Sequence, residues 1–269
     1  MKNCKLSPFP ALILLLLLSS FQDDMATQKK FPLRVMCYNI HHAAPPANAD
    51  KIDLDAIAKV INDQKPDLVA LQEVDVNTKR SGSFNQAEEL GKKTGLTAYF
   101  FKAIDFEGGG YGVAILSQYP VTATHRYPLP NDERNPGEPR VLGTATIMLP
   151  GKHEILFACT HLEAGGDSIN RQLQMEAIPR LLQDVSIPII IAGDFNAAPG
   201  SGVVRTLDNH FHRTCDPCEP TIPVNNPKRA IDFVAFSPQG HFKVKHHIVI
   251  AERHASDHLP VFAILEAEY

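Results

Sequence analysis

Short apolar runs, bounded by charged or turn-forming residues, recur along the chain and predict buried β-strands. These runs occupy residues 33–39, 68–72, 97–103, 112–116, 121–128, 141–149, 155–160, 187–192, 230–236, 244–250 and 261–265. Strands and helices alternate in the first half of the chain, whereas strands dominate the second half. The pattern predicts an α/β protein in which strand-rich layers form the core.

Apolar residues return at helical spacing in three other segments, which predict amphipathic helices. The segments are 54–61, 85–94 and 168–184. Asp50 or Asp53 would cap the start of the first helix, and Gly95 would end the second. Pro179 is expected to kink the third. No linker or internal repeat interrupts the pattern, so we expect one domain over residues 31–269, with two packed, mostly antiparallel sheets and helices outside.

The N-terminal segment has the organisation of a secretory signal peptide. Lys2 and Lys5 precede an apolar run at residues 11–18, and a polar stretch begins at Gln22. The sequence therefore predicts a signal peptide over residues 1–22 and a secreted or periplasmic mature protein. An uncleaved N-terminal anchor is the alternative, since no clear small-x-small cleavage site precedes Gln22. No second apolar run of membrane length follows.

Composition and charge favour a globular, acidic protein. The 269 residues are 44% hydrophobic and 21% charged, which suits a folded domain with a sizeable core. There are 26 basic and 30 acidic residues, a net charge of −4, and loss of Lys2 and Lys5 makes it 24 − 30 = −6. Non-specific nucleic-acid binding usually depends on a basic stripe. The longest basic runs here are two residues, so this function is disfavoured.

The cysteines fit an oxidising compartment. Cys37 and Cys159 lie in apolar runs and are expected to be buried thiols, although a disulfide between neighbouring strands remains open. Cys215 and Cys218 flank a tight turn that contains proline. A zinc site would need a second pair of ligands at similar spacing, so a local disulfide is favoured over metal.

Polar residues follow several of the predicted strands at their carboxyl ends. Asn39 ends the first strand, Glu73 the second and His161 a later one, while Asp194 and Asn196 follow the apolar run at 187–192. Ligands of α/β proteins gather at that edge of a sheet, where loops leave a crevice and strands hold side chains rigidly. These residues are therefore candidates for one site.

The candidate site is rich in oxygen donors. Carboxylates that lie close together repel one another unless a cation neutralises them, and hard divalent ions prefer oxygen ligands. The donors are Glu73, Asp194, Asp232 and Asp257, with the amides of Asn39 and Asn196. This set predicts Mg²⁺ or Mn²⁺, and His161 and His258 could donate to a phosphoryl oxygen. The pairs His41-His42 and His246-His247 are expected to be exposed and without a special role.

Each motif alone is compatible with a surface carboxylate, a turn or a structural histidine, but their order along the chain is informative. The set is Tyr38-Asn39, Gln72-Glu73, Tyr111-Gly112, Pro139-Arg140, Thr160-His161, Asp194-Phe195-Asn196, Ile231-Asp232 and Ser256-Asp257-His258. In this order the motifs resemble those of the endonuclease/exonuclease/phosphatase superfamily, whose fold is a four-layer α/β sandwich of the DNase I-like type. The resemblance spans nearly the whole mature chain.

The resemblance implies a role for each motif residue. Glu73 would be the principal metal ligand, with Asn39 and Asp257 close to the same ion. Asp194 would orient or deprotonate the attacking water. Asn196 would hold that water or a phosphate oxygen, and Asp232 and His258 would form an Asp-His pair that stabilises developing charge. His161 would face the phosphate from the opposite side. Tyr111 and Arg140 would be further phosphate contacts.

The leading functional hypothesis is an exported Mg²⁺- or Mn²⁺-dependent phosphoesterase. It would hydrolyse a phosphodiester or a phosphomonoester, for example of a lipid, sugar or inositol, and we expect a monomer. A secreted nuclease is the alternative. A binding module with a decayed site is disfavoured, because every motif position retains a residue capable of the chemistry.

Two departures from the family pattern bear on the substrate. His41 stands where some abasic-site nucleases of the superfamily have an acid, and the chain has no Trp for base stacking. A basic groove from Arg80, Lys102, Arg126, Arg134 and Arg171 would favour a nuclease, whereas an apolar rim would favour a lipid. The glycine-rich segment 107–110, between Phe106 and Tyr111, is a candidate mobile loop over the site.

Overall fold

A computed structural model describes Met1 and residues 30–240 and 242–268. The signal peptide predicted at 1–22 lies, beyond Met1, outside the described residues. Within the described ranges, no helix is long and apolar enough to cross a membrane.

Twelve strands and four helices follow one another in the described part of the chain. They are β1 (Lys30–Asn39), α1 (Leu54–Gln64), β2 (Leu68–Val76), α2 (Gln86–Thr94), β3 (Thr97–Phe106), β4 (Gly109–Ser117), β5 (Val121–Pro128), β6 (Val141–Leu149), β7 (His153–His161), α3 (Ile169–Leu181), β8 (Ile189–Asp194), α4 (Gly202–His210), β9 (His212–Arg213), β10 (Asp232–Phe236), β11 (Phe242–Val249) and β12 (Val261–Glu268). Short 3-10 turns occupy His41–Ala43 and Pro238–Gly240.

The strands form two six-stranded sheets with the same plan. The first sheet has the order β11-β12-β1-β2-β4-β3 and the second has the order β5-β6-β7-β8-β10-β9. Each contains one parallel pair, β1 with β2 and β7 with β8, and all other neighbours are antiparallel. The prediction of two mostly antiparallel sheets is confirmed.

Alternation of side chains along β1 explains how the layers pack. Leu33, Val35 and Cys37 face the core between the two sheets. Met36 and Tyr38 face the opposite side, where they pack with apolar residues of α1 and α2. Successive side chains of a strand point to opposite faces, so one apolar strand serves both layers. Helices α3 and α4 cover the outer face of the second sheet, which completes the predicted four-layer sandwich.

Local capping signals set most of the helix ends. Asp53 accepts a hydrogen bond from the backbone of Ala56, which confirms one of the two proposed caps of α1. Asn85 caps α2, and Gly95 ends it in the left-handed conformation, as predicted. The predicted end of the third helix at 184 is wrong, because α3 passes Pro179 and ends at Leu181. Helix α4 was not predicted.

The structure decides the state of the four cysteines outside the leader. Cys37 and Cys159 are free and fully buried, so the alternative of a disulfide between strands is wrong. Gln72 lies between them, accepting from Cys37 and donating to Cys159. Cys215 and Cys218 form the predicted local disulfide.

Candidate active site

The two parallel strand pairs place the predicted site residues at one crevice. Asn39 at the end of β1 is in register with Gln72 of β2, directly before Glu73. In the other sheet, His161 at the end of β7 is in register with Asp194 at the end of β8. Carboxyl ends of parallel strands share one edge of a sheet. Each sheet therefore contributes one pair of polar residues to the crevice.

Close approach of β7 and β8 depends on Gly193, the residue before Asp194. A Cβ atom at Gly193 would lie 2.3 Å from the carbonyl oxygen of Thr160. Any larger residue would push the strands apart and move Asp194 away from His161. The glycine is therefore part of what positions these two side chains.

One carboxylate oxygen, Oδ2 of Asp194, is the meeting point of the site. Asn39 donates to it from Nδ2 at 3.1 Å across the two sheets. The Nε2 atoms of His161 and His258 lie 3.6 and 3.7 Å from the same oxygen. Asp194 itself is only 1% exposed. Two imidazoles and an amide thus surround one buried carboxylate.

His258 is held by Asp232, as the predicted Asp-His pair requires. His258 Nδ1 donates to Oδ2 of Asp232 at 2.9 Å, so Nε2 is left facing Asp194. Burial alone would lower the pKa of His258, but the charges of Asp232 and Asp194 outweigh it and raise the pKa to about 10. Thr221 also donates to Asp232 Oδ2, while Asp232 Oδ1 is buried without a partner among the described residues.

His161 is held in the opposite protonation state by Arg140. Because a guanidinium only donates, the 3.0 Å contact of Arg140 Nη1 with His161 Nδ1 leaves the proton of the neutral ring on Nε2. Burial and the charges of Arg140 and His258 place the pKa of His161 well below its ordinary value. Arg140 is buried and paired with Glu138 at 2.9 Å. The site therefore combines one cationic and one neutral imidazole.

Asp194 is a buried acid whose charge is poorly compensated. Burial and the neighbouring charge of Asp232 raise its pKa to about 7. His258, Asn39 and the backbone N–H of Asn196, which donates to Oδ1 at 2.8 Å, act in the opposite direction. A carboxylate with a pKa near neutrality can exchange a proton at physiological pH.

Asn196 and Tyr111, two further predicted site residues, each contact a neighbouring residue. Asn196 has a left-handed backbone and donates from Nδ2 to the carbonyl of Leu162, which ties it to the end of β7. Tyr111 is buried beside Arg140, and burial raises its pKa far above its ordinary value. Their expected roles, to hold the water or phosphate, stay predictions.

Glu73 stands on an irregularity of β2. The register of β2 with β4 shifts between Leu71 and Val74, and Glu73 takes a positive φ of 56°. Asn39 donates to Glu73 Oε1 at 3.0 Å, while its own Oδ1 accepts from the backbone of His41. Asn39 thus presents its nitrogen to Glu73. Its expected role near the metal stays a prediction, as does that of the half-buried Asp257.

The expectation for the two histidine pairs is wrong in part. His41 and His42 are half-buried in the 3-10 turn after Asn39, and their donor atoms lie within 4.8 Å of each other and of Glu73. His247 is also half-buried and its Nδ1 lies 2.8 Å from Thr214 Oγ1, whereas His246 is exposed. The sequence signal for the first pair was its position directly after the strand end at Asn39.

The glycine-rich segment is an anchored hairpin. Its turn is confined to Glu107 and Gly108, and β4 begins at Gly109. Arg80 donates from its backbone to Glu107 Oε2, and its guanidinium lies 4.5 Å from the ring centre of Phe106 and 5.5 Å from that of Tyr111. Asp75, fully buried, accepts two hydrogen bonds from Arg80. Sequence reasoning missed Asp75, Glu138 and Thr221, which act through other site residues.

Comparison with known proteins agrees with this geometry. The family model described as the endonuclease/exonuclease/phosphatase family matches residues 36–258. A crystal structure of an endonuclease/exonuclease/phosphatase from Beutenbergia cavernae is 27% identical, with a TM-score of 0.74 over 88% of this chain and 72% of that one.

Two further solved structures share the fold at lower identity. The catalytic domain of human nocturnin, with bound sulfate, is 20% identical, with a TM-score of 0.69 over 89% of this chain and 97% of that one. A mannosyl-6-phosphatase of Bacteroides thetaiotaomicron is 19% identical, with a TM-score of 0.69 over 87% and 99%. At this identity the likeness shows the DNase I-like fold. Since the family model covers most of the chain, the protein belongs to the endonuclease/exonuclease/phosphatase family of metal-dependent hydrolases that act on phosphoric ester bonds.

Proposed function

We propose that this protein hydrolyses a phosphodiester or phosphomonoester of a small, polar compound by in-line attack of water. The observation that carries the proposal is the convergence on Asp194 Oδ2 of Asn39, His161 and His258. Phosphoryl transfer needs a positioned water and donors for the phosphate oxygens, and little covalent chemistry from the protein. In the crevice, Asp194 would position the water, and Nε2–H groups of His161 and His258 would donate to the phosphate oxygens.

The residues of the crevice fit a divalent cation. Asp194 and Asp232 are buried, and no hydrogen bond or ion pair joins either to a lysine or arginine in the described part of the chain. Asp232 Oδ1 has no partner there either. Glu73 would hold Mg²⁺ or Mn²⁺, with Asn39 and Asp257 beside it. When bound, the ion neutralises phosphate charge and acts as a Lewis acid.

Side chains of the protein would accept the proton of the attacking water and stabilise the negative charge that develops on the phosphate. Asp194, with a pKa of about 7, accepts a proton from the attacking water, and Asn196 holds that water or a phosphate oxygen. His161 and His258 both present Nε2–H groups, which donate to the phosphate oxygens as negative charge develops. Arg140 and Tyr111 contact the phosphate, and Arg140 also keeps His161 in the donating tautomer.

The surface around the crevice favours a small, polar substrate over nucleic acid or lipid. Four of the five cations considered for a basic groove carry an acidic partner, Arg80 with Asp75, Lys102 with Asp105, Arg134 with Asp132 and Arg171 with Glu163. Their charges are thus largely neutralised locally. The large exposed hydrophobic side chains of the described residues lie outside the β3–β4 hairpin. The mannosyl-6-phosphatase relative acts on a sugar phosphate, which is consistent with this class.

We keep export and a monomeric state as parts of the proposal. The disulfide of Cys215 and Cys218 supports an oxidising compartment. Expression of the full chain in a bacterial host, followed by N-terminal sequencing of the periplasmic fraction, tests export. A mature N-terminus close to residue 22 is expected, and a full-length protein retained in the membrane fraction would instead support the uncleaved anchor.

A substrate panel tests the proposed activity. A chromogenic phosphodiester, a chromogenic phosphomonoester, a sugar phosphate and linear DNA would be incubated with the mature protein in Mg²⁺, in Mn²⁺ and in EDTA. We expect metal-dependent turnover of small esters that exceeds turnover of DNA. Asp194→Ala should abolish it, whereas Asp63→Ala, a change of an exposed acid on α1, should not. Preference for DNA would establish the nuclease, and no turnover by the folded protein would refute the proposal.

A further inference from the structure

A group of nitrogen donors borders the oxygen-rich crevice. The donor atoms of His41, His42 and Glu73 lie within 4.8 Å of one another. Donor atoms bound to one ion by bonds of about 2.0–2.2 Å stand no more than about 4 Å apart. Small side-chain rotations would therefore bring all three donors to one ion.

His41 has the protonation pattern of a metal ligand. Its Nδ1 lies 3.0 Å from the carbonyl oxygen of Ala44. A carbonyl only accepts, so Nδ1 carries the proton and the lone pair is on Nε2. Metal-bound histidines commonly donate their other ring N–H to a carbonyl in this way, which fixes the ring orientation.

His42 carries a buried nitrogen without a partner. Its Nδ1 makes no hydrogen bond with the described residues, although the atom is shielded from solvent. Buried polar atoms normally have partners, and each exception calls for an explanation. The carbonyl of His42 accepts from Gln86 Nε2 at 2.7 Å, and Gln86 Oε1 accepts from the backbone of Asp75. The turn is thus tied to β2, the strand that carries Glu73.

The backbone of both segments is held in an unfavourable conformation. His41, His42 and Ala43 have φ values of 45°, 43° and 59°, and Glu73 has a φ of 56°. Residues with a Cβ atom rarely adopt this left-handed region, and such outliers cluster at functional sites. The fold therefore maintains this turn against its local preference.

The nearby cation does not oppose metal binding strongly. Arg80 forms two hydrogen bonds with Asp75, at 2.7 and 2.9 Å, and this bidentate pair offsets much of the charge that Arg80 presents to His42. Glu73 remains as the anionic donor of the group. Two imidazoles and one carboxylate are softer than the all-oxygen set that Mg²⁺ prefers, and they suit later first-row ions.

We propose that His41, His42 and Glu73 form a mixed nitrogen and oxygen site that binds a later first-row divalent ion, such as Co²⁺ or Zn²⁺, in preference to Mg²⁺. The inference rests on the proposed function, because Glu73 is also the acid expected to hold the metal of the phosphoesterase. It narrows the identity of that metal from the Mg²⁺ or Mn²⁺ that oxygen donors alone suggest.

Direct titration with Co²⁺ tests the site without reference to activity. The metal-free full chain would be titrated with Co²⁺, followed by its visible absorption, and with Mg²⁺ by calorimetry. His41→Asn and His42→Asn remove the imidazole but retain a residue that tolerates left-handed backbone. Each should weaken Co²⁺ binding at least about tenfold, with a much smaller effect on Mg²⁺. His125→Asn, a change of an exposed histidine on β5, is the matched control.

The outcomes separate this site from the proposed activity. Unchanged Co²⁺ affinity in both folded variants overturns the site, and metal-dependent hydrolysis would then still stand. Histidine-dependent Co²⁺ binding with no phosphoester turnover supports the site while the activity fails. Pulsed electron paramagnetic resonance of the Co²⁺-loaded wild-type protein covers the case in which a variant does not fold. Nitrogen coupling from imidazole is expected there, and its absence overturns the site.

Discussion

Two buried carboxylates near the same crevice, Asp75 and Asp194, are treated by the fold in opposite ways. Asp75 is fully buried and accepts hydrogen bonds from Arg80, Thr78 and Ser81. Burial alone would raise its pKa, but Arg80 and Ser81 outweigh that effect and the pKa is lowered. Asp194 has no arginine partner among the described residues, and its pKa rises to about 7.

The difference separates an architectural acid from a reactive one. A buried ion is tolerated when an opposite charge and hydrogen bonds satisfy it. The pair formed by Asp75 and Arg80 meets that condition and anchors the β3–β4 hairpin through Glu107. The charge of Asp194 is only partly compensated, because His258 lies between it and Asp232, so binding of a cation or a substrate would complete its interactions.

The largest expected effect comes from removing the reactive acid. Asp194→Ala should lower kcat for phosphoester hydrolysis by about 10²- to 10⁴-fold, the usual contribution of a general base. KM should change far less. Steady-state kinetics in saturating metal would measure both. An Asp194→Ala enzyme that keeps more than a tenth of wild-type kcat would show that another group activates the water.

Removing the architectural acid should instead affect folding. Asp75→Asn leaves Arg80 without its ionic partner and should lower the free energy of unfolding by about 3 kcal/mol. Urea denaturation followed by circular dichroism would measure it. Asp63→Asn, which breaks an exposed pair with Lys59 on α1, is the control and should have no measurable effect. Equal stabilities of wild type and Asp75→Asn would contradict the assignment.

A bound divalent cation should stabilise the folded protein against unfolding. At a free Mn²⁺ concentration of about 100 times Kd, the free energy of unfolding should rise by about 2.7 kcal/mol. EDTA should reverse the gain, and Glu73→Gln should remove it because the principal ligand is lost. Thermal denaturation with and without Mn²⁺ measures the effect. A gain that persists in Glu73→Gln would place the ion elsewhere.

A neutral substitute for the reactive acid should stabilise the metal-free protein. Asp194→Asn retains the shape of the side chain but removes a buried charge that lacks an arginine or lysine partner. We expect a gain of about 1 kcal/mol at pH 8, measured by urea denaturation in EDTA. A loss of similar size would mean that attraction to His258 outweighs repulsion by Asp232.

The smallest expected effect is the pH dependence of the stability that Asp75 contributes, which further distinguishes Asp75 from Asp194. The folded-state pKa of Asp75 lies below its ordinary value of 3.8, so its contribution is present above pH 3.8 and is lost as pH falls through the folded-state pKa. The stability gap between wild type and Asp75→Asn should therefore be constant from neutral pH to about 4 and then shrink. Denaturation curves at several acidic pH values test this, and a gap that grows in acid would reverse the sign of the assignment.

Local signals in the sequence were sufficient for most of the fold. The bounds predicted for β5 and β6 agree with the structure, and Asn85 and Gly95 fixed both ends of α2, because alternation and capping act within a few residues. Helix α4 was missed although it has the same nine-residue length as α2, because Phe211 follows its last residue in place of the glycine that marks the end of α2. The end of α3 was misplaced for lack of a strong stop signal after Pro179.

The site was predictable where a strand end marked it. Asn39, Glu73, His161 and Asp194 each follow an apolar run, and the parallel registers then bring them together. The turn of His41 and His42 was not predictable, because its left-handed backbone is imposed by contacts with distant residues such as Gln86. For the same reason, the partner that sets the tautomer of His161 appears only in three dimensions.

Both sheets contribute residues to the crevice, so the distances between its side chains depend on the relative position of the two sheets. Asn39 of the first sheet bonds Asp194 of the second, and His258, before β12, bonds Asp232 of β10. Fine alignment of reacting groups is sensitive to shifts of about 1 Å. A small shift of one sheet relative to the other would therefore abolish activity, even if both sheets stayed folded. On warming, activity should be lost before secondary structure. The temperature at which this loss begins should depend on the packing of the apolar core between the two sheets.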